Sequence, residues 1–186
     1  MKTFELLLSD LQLPSSKELI VLVRHDSAFS AKTRYIKTQR DEFQSSNIPV
    51  EFGTWSFNSL ETNFPVIQEA CNRLREKLKM RVQCNAYYTP PFAQGLPVHY
   101  DLHDVFVLQV EGSKRWKVWP SFRNNVSVDT LLFDEKENLP NWTELQTPKD
   151  FVLDKNQTLY LVKGEPHVAI TTEKASLHFS FGIYHD

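Results

Sequence analysis

The stretch Val98-His99-Tyr100-Asp101 sets an imidazole and a carboxylate two residues apart. On a β-strand, side chains i and i+2 leave the same face, so His99 and Asp101 can grip one metal ion together. One more imidazole would complete a two-histidine, one-carboxylate face with open positions left on the metal, the arrangement of non-haem Fe(II) oxygenases. His167, in the run Leu159–Ile170, is the candidate. This choice constrains the fold. A ligand so far along the chain meets the other two only where strands return on themselves, as in a barrel; a single helix cannot bring them together. H-x-D alone is a short pattern that also occurs on surfaces and in turns, so its surroundings matter. The pair follows a Pro/Gly-rich loop, Thr89–Pro97, and precedes an apolar strand, Val105–Leu108. A second strand, Leu159–Val162, turns through Gly164-Glu165-Pro166 directly into His167.

Composition agrees with a β-rich core. Thirteen Phe, six Tyr and four Trp against five Gly suit a pleated sheet better than a helical bundle. The 186 residues allow one domain with its own core. We expect a barrel core over 81–186 and an N-terminal helical and strand extension, 1–80, packing on it. The formal net charge of −2 and the lack of a basic run give no reason to expect nucleic acid. No apolar run approaches the length of a membrane span, and acidic residues interrupt the apolar patch of MKTFELLLSDLQLP, so neither a membrane segment nor a signal peptide is expected. Cys71 and Cys84 sit in no metal spacing and read as two reduced thiols. A cytoplasmic setting follows as the default.

Taken in order, residues 1–15 read as a short helix ending near Pro14. Lys17–Arg24 (KELIVLVR) reads as a strand, and 25–48 as loop with a weak helix around Arg40–Gln44. Val50–Phe57 reads as a strand. Val66–Leu78 is a helix, because Val66, Ile67, Ala70, Leu74 and Leu78 recur at helical spacing. Strands follow at Arg81–Tyr88 and Val105–Val110. Gly112-Ser113 is a turn, after which Lys114–Trp119 pairs back as a hairpin, with Arg115 and Lys117 on a solvated face. Residues 120–147 form a long irregular insertion, of a length often used as a lid, in which Leu131-Leu132-Phe133 could pack on the barrel. Phe151–Leu153, Thr158–Val162, Val168–Thr171 and Leu177–Tyr184 complete the set, a jelly-roll barrel of the cupin class.

The run from Asn85 to Trp116 carries N-x-Y-x-T-P, then Q-G-L-P-x-H-Y-D, then D-V-F-x-L-Q-x-E-G-x-K-x-W, and Gly164–Ile170 reads GEPHVAI. In these motifs, and more loosely over residues 50–184, the chain resembles the JmjC-type ribosomal oxygenases, cupin-fold hydroxylases that use Fe(II) and 2-oxoglutarate. The turn Asp154-Lys155-Asn156-Gln157 departs from the Gly-Asp common in cupins, although Asn tolerates a left-handed turn. Larger members of that family continue past the barrel with a helical dimerisation region and a winged-helix-like domain; the sequence given ends at Asp186, and these parts are expected to be absent.

The resemblance implies that His99, Asp101 and His167 bind Fe(II). It also implies that Lys114 pairs with the distal carboxylate of 2-oxoglutarate; the bland alternative is an exposed turn lysine. Asn85, Tyr87 and Ser180 fall on strands that line the family's pocket. They contact cosubstrate or substrate, or else make core hydrogen bonds. His103 is a candidate neighbour of the metal, and His178 a core or pocket-wall histidine. The function implied is a 2-oxoglutarate-dependent dioxygenase that consumes O2 and hydroxylates a protein or peptide side chain. A small-metabolite substrate and a non-catalytic cupin binding module are the alternatives. A homodimer through exposed β edges stays open.

Overall fold

The computed structural model describes residues 2–39, 42–49, 51–120 and 147–185. Almost all of the stretch expected as a lid, with Leu131-Leu132-Phe133, lies outside these residues. The described strands are β1 (Thr33–Gln39), β2 (Glu42–Ser46), β3 (Thr54–Phe57), β4 (Arg81–Thr89), β5 (Asp104–Glu111), β6 (Ser113–Val118), β7 (Lys149–Asp154), β8 (Thr158–Leu161), β9 (His167–Ile170) and β10 (Ser176–Tyr184). They form two antiparallel sheets. One has seven strands in the order β2-β1-β3-β4-β10-β5-β8, and the other three in the order β7-β6-β9. Helices α1 (Lys2–Leu8), α2 (Ser16–His25), α3 (Ser27–Lys32) and α4 (Pro65–Leu78) all precede β4. The fold is mainly β, the double-stranded β-helix expected, with its helices on the N-terminal side.

The period-two alternation of the central strands decides where everything else goes. In β10, Leu177, Phe179, Phe181 and Ile183 are buried in one large core with Ile67, Ala70, Cys71 and Leu74 of α4 and Leu19 of α2. The intervening His178, Ser180 and Gly182 face the cavity between the sheets. In β4, Val82, Cys84 and Ala86 join the helical side, while Gln83, Asn85 and Tyr87 line the cavity. In β5, Phe106 goes to the helices, whereas Val105 and Val107 pack with Trp116, Val118, Leu153 and Leu161 inside the barrel. Because both faces of β5 are covered, its sequence is a continuous apolar run rather than an alternating one.

α4 matches its expected bounds within a residue. Pro65 occupies the first turn, where its missing N–H costs nothing, and Lys79 ends the helix in a left-handed conformation (φ 59°). Arg73, on the solvated face, bonds Glu69 at 2.8 Å and Asp10 at 2.6 Å, fastening the loop after α1 to α4.

Four local expectations are corrected. Lys17–Arg24 is not a strand but lies in α2. Ser15 and Glu18 form a capping box, with the Ser15 side chain accepting from the Glu18 N–H and Glu18 reaching back to the Ser15 N–H at 2.8 Å. That local start signal outweighs the β-branched composition of KELIVLVR. Ser15→Ala removes one half of the box and should destabilise the protein by about 1 kcal/mol, read as a lowered urea midpoint at unchanged m-value.

The weak helix around Arg40–Gln44 is instead the hairpin of β1 and β2, in register from Tyr35 opposite Ser46 to Gln39 opposite Glu42; positions 40 and 41 lie outside the described residues. The strand expected over Val50–Phe57 is only Thr54–Phe57, since Phe52 sits at φ 55° and breaks extension.

The fourth correction concerns β6, which does not pair back on β5. Gly112 (φ +62°) turns the chain out of the large sheet, and β6 becomes the centre of the small one, between β7 and β9. A Cβ at 112 would stand 1.9 Å from the Ala175 carbonyl oxygen, so the corner requires glycine. This corner brings Lys114 and Trp116 of one sheet to face His178 and Tyr87 of the other. Arg115, on the outer face, pairs with Asp150 of β7 at 2.7 Å. Asn156 takes the left-handed conformation (φ 67°) that its side chain tolerates.

Candidate active site

The cavity between the sheets measures about 430 Å³. Its walls carry His99, Asp101, His103, Lys114, Trp116, His167, His178, Asn85, Tyr87 and Ser180, so every candidate site residue of the sequence reading faces one space. His167 opens β9. His99 is not on a regular strand; it forms an isolated antiparallel bridge with His167, made by His99 N–H to His167 O at 3.1 Å and His167 N–H to His99 O at 2.7 Å. Asp101 follows in irregular chain, its carbonyl accepting from the Gly164 N–H at 2.9 Å. Main-chain bonds of these two segments to each other thus fix the three side chains.

One ligand atom from each of His99, Asp101 and His167 lies within 4.8 Å of the others, compatible with bonds near 2 Å to a shared ion. His99 Nδ1 stands 2.8 Å from the Pro97 carbonyl, and His167 Nδ1 stands 2.9 Å from that of Glu165. A carbonyl only accepts, so both Nδ1 atoms carry the proton and each Nε2 keeps its lone pair for a metal. His167 Nε2 lies 3.6 Å from an Asp101 oxygen, close enough for an ion pair were the ring charged. Burial, and next His99, push its pKa down to about 4, so at neutral pH the ring is neutral, the form that binds metal. The donor set fits a divalent ion such as Fe(II).

Lys114, expected as either a site residue or an exposed turn lysine, is 4% exposed. Its Nζ donates to Thr89 Oγ1 at 2.8 Å. Burial lowers its pKa to about 7, since among the described residues no anion beside it stabilises the charged form. Thr89 was not singled out in the sequence, yet it lies two residues beyond Tyr87 on β4, inside the N-x-Y-x-T-P motif; the period of two could have found it. Asn85 Oδ1 accepts from the Ser59 N–H at 3.0 Å, and the Asn85 side chain also acts on the neighbouring Tyr87 hydroxyl. Burial pushes the Tyr87 hydroxyl up to about 12, with Asp101 adding to the rise, so it stays a neutral donor.

His103 stacks on Tyr184 at 4.3 Å, and Arg81 covers a Tyr184 face at 3.8 Å. A Cβ on Gly182 would come within 2.8 Å of the His103 ring, so the missing side chain makes room for it. Asp104 secures the turn that leads to His167. It accepts from Tyr160 Oη (2.7 Å), the Lys163 N–H (2.7 Å) and His185 Nε2 (2.9 Å). Burial raises its pKa, but these bonds prevail and hold the carboxyl below its usual range.

Comparison with known proteins agrees with this architecture. The JmjC domain family matches residues 59–186. The bifunctional lysine-specific demethylase and histidyl-hydroxylase NO66 of Drosophila mojavensis is 36% identical over 126 residues, 66% of this chain and 14% of that protein. The NO66 protein of Drosophila sechellia is 31% identical over 178 residues, 88% of this chain and 27% of that protein. The chain therefore spans about a quarter or less of the length of these relatives. Among solved structures, Escherichia coli YcfD superposes with a TM-score of 0.70 at 21% identity, over 93% of this chain and 46% of that one. The complex of YcfD, a ribosomal oxygenase, with cobalt and 2-oxoglutarate superposes at 0.66 and 20% identity, over 93% and 44%. With a family model matched over most of its length and a relative above 30% identity along 88% of it, the chain belongs to the JmjC domain family.

Proposed function

We propose that this chain is an Fe(II)- and 2-oxoglutarate-dependent dioxygenase that hydroxylates a side chain of a protein or peptide. The observation that carries the reading is the conjunction in one cavity of a two-histidine, one-carboxylate cluster with a buried lysine that has no anion beside it among the described residues. His99, Asp101 and His167 would hold the metal. Lys114, helped by Thr89, takes the far carboxylate of the cosubstrate and so orients its oxo-acid end toward the metal. Asn85, Tyr87 and Ser180 supply neutral donors to cosubstrate or substrate. Trp116, Val105, Val107 and Leu161 form apolar wall that excludes water. When bound, Fe(II) with 2-oxoglutarate and O2 supplies the oxidant, so that the C–H substrate becomes an alcohol while the oxo acid becomes succinate and CO2.

A protein substrate is supported by the relatives, named for lysine demethylation and histidyl hydroxylation, and by the solved relative, named a ribosomal oxygenase. A barrel serving as a binding module alone would have no use for ligands and lysine together. Among the described residues no helix is long and apolar enough to cross a membrane. The buried free thiols Cys71 and Cys84 fit the cytoplasmic setting we propose.

The test is incubation of the Fe(II)-loaded protein with 2-oxoglutarate, O2 and cell extract. Succinate release together with a +16 Da product on peptides is expected. Products confined to metabolites would move the substrate class, and no succinate at all would remove the reading.

A pH dependence follows. Lys114 has a pKa of about 7, and a bound carboxylate favours its charged form, so above pH 7 binding must take up a proton. Affinity for 2-oxoglutarate should fall about tenfold per pH unit above 7 and level off below it. Calorimetry in buffers of different ionisation enthalpy should show close to one proton taken up at pH 8 and almost none at pH 6; equal uptake at both would refute this account of Lys114.

A further inference from the structure

Among the described residues the cavity walls carry two Lys or Arg side chains, Lys114 and Arg34, against a single carboxylate, Asp101, which the metal cluster uses. Lys114 has its task in the scheme above; Arg34 has none. It lies on β1 and is half-buried. Its Nη1 donates to the carbonyls of Ala31 at 3.1 Å and Thr33 at 3.3 Å, around the C-terminal end of α3, and these bonds fix the head of the side chain. They occupy one nitrogen. Among the described residues Nε and Nη2 have no partner, and the arginine ion pairs belong to Arg73 and Arg115. A guanidinium keeps its charge in a protein and presents a planar fork of donors that matches a carboxylate. A charge partly withdrawn from water calls for an opposite partner, and the cavity wall offers none.

The sheet register locates this fork. Arg34 stands opposite Ser56 of β3, and Ser56 opposite Tyr87 of β4, so Arg34 is two strands, about 10 Å, from Tyr87. The Asp101 charge acts on Tyr87, which puts the metal cluster on that side. On the other side comes the edge strand β2, where Ser45 both lines the cavity and is exposed. The cavity therefore opens to solvent next to Arg34. Lys114, by contrast, is held at Thr89, and the two cations serve different places. The geometry points to Arg34 as the residue that selects the protein substrate, by taking the carboxylate of an Asp or Glu side chain close in sequence to the residue that is hydroxylated. An extended peptide advances about 3.3 Å per residue, so the acid lies within about three residues of the target. This rests on the oxygenase reading above and adds to it the class of sequence that the protein accepts.

The experiment starts from the proteins of a cell extract, hydroxylated by the Fe(II)-loaded protein with 2-oxoglutarate and O2, and maps the +16 Da sites. A mapped sequence is then made as a peptide in two forms, one with its Asp or Glu and one with the corresponding amide. Wild-type kcat/KM should be about tenfold or more higher for the acid form. Arg34→Gln should lose most of that preference, and Arg34→Lys, which keeps the charge without the fork, should keep part of it. Affinity for 2-oxoglutarate, read from the charge-transfer absorption in an anaerobic titration, should stay within about twofold in both variants. Should Arg34→Gln not fold, the wild type is assayed on the same two peptides at rising ionic strength: salt screens a partly exposed ion pair, so the acid preference should narrow. Mapped sites without a nearby acid, a preference that survives in Arg34→Gln, or one that salt does not narrow overturns the inference and leaves the oxygenase reading standing. A wild-type protein that releases no succinate, or whose products are confined to metabolites, overturns both.

Discussion

His167→Ala should lose divalent metal while keeping its fold. On the proposed reading the imidazole supplies one of three ligands, and a two-ligand remnant of His99 and Asp101 would not hold Fe(II) or Mn(II) against water. We expect the dissociation constant to rise by at least about a hundredfold, since loss even of the groups that orient ligands costs ten- to a hundredfold. The backbone bridge between positions 99 and 167 consists of N–H to carbonyl bonds, which truncation of the side chain leaves in place. The Trp116 ring, 5.9 Å from that imidazole, loses one packing partner, so the melting temperature should fall by only a few degrees. The measurement is metal titration followed by calorimetry or Mn(II) resonance, beside a thermal melt. His103→Ala serves as the control: its ring stacks on Tyr184 outside the ligand cluster, so it should keep the metal. Wild-type affinity in a folded His167→Ala protein would disprove the ligand set.

Lys114→Met should abolish 2-oxoglutarate binding and raise the stability of the ligand-free protein. The two effects have one cause. The folded-state pKa of Lys114, about 7, lies below its ordinary value of 10.5, so the fold resists the charged form. Between these two values the unfolded chain binds more protons than the native one. Stability of the wild type therefore rises with pH across the window from about 7 to 10.5, and below pH 7 the full penalty applies. A methionine of similar shape removes that penalty, of the order of 2–4 kcal/mol near neutral pH. The melting temperature should rise by about 2–4 °C for each kcal/mol gained, and the variant should lose the stability gain above pH 7. The same substitution removes the cation proposed to face the far carboxylate, and 2-oxoglutarate affinity should drop by about two orders of magnitude or more. Thermal melts and charge-transfer titrations on one preparation measure both. A less stable Lys114→Met protein that still binds 2-oxoglutarate would show that the lysine serves packing instead.

Much of this was legible in the residue order, for reasons that differ from element to element. α4 carries its own signals: Pro65 at the start, apolar residues three and four apart, and a charged outer face. β4, β5 and β10 could be placed because their apolar residues are short runs bounded by turn residues. α2 was misread because KELIVLVR has strand-like composition, and the two residues that decide it, Ser15 and Glu18, act through hydrogen bonds at one end. The β1–β2 hairpin was missed because its strands are polar, and one strand, β2, lies at the sheet edge.

The motif His99-Tyr100-Asp101 and the distant His167 define by themselves which chemistry the chain could carry, because the valence and geometry of a divalent ion restrict the ligand types. They do not fix that the ligand atoms meet. That depends on main-chain bonds between segments remote in sequence and on the corner at Gly112, which moves β6 from the expected hairpin to the opposite sheet. Nor does the sequence say whether Lys114 is a surface cation or a buried one. Burial is a property of the closed barrel, where the ammonium donates to Thr89 of the opposite sheet in a cavity shared with Trp116 and His178, and the lowered pKa of the lysine follows from that enclosure alone.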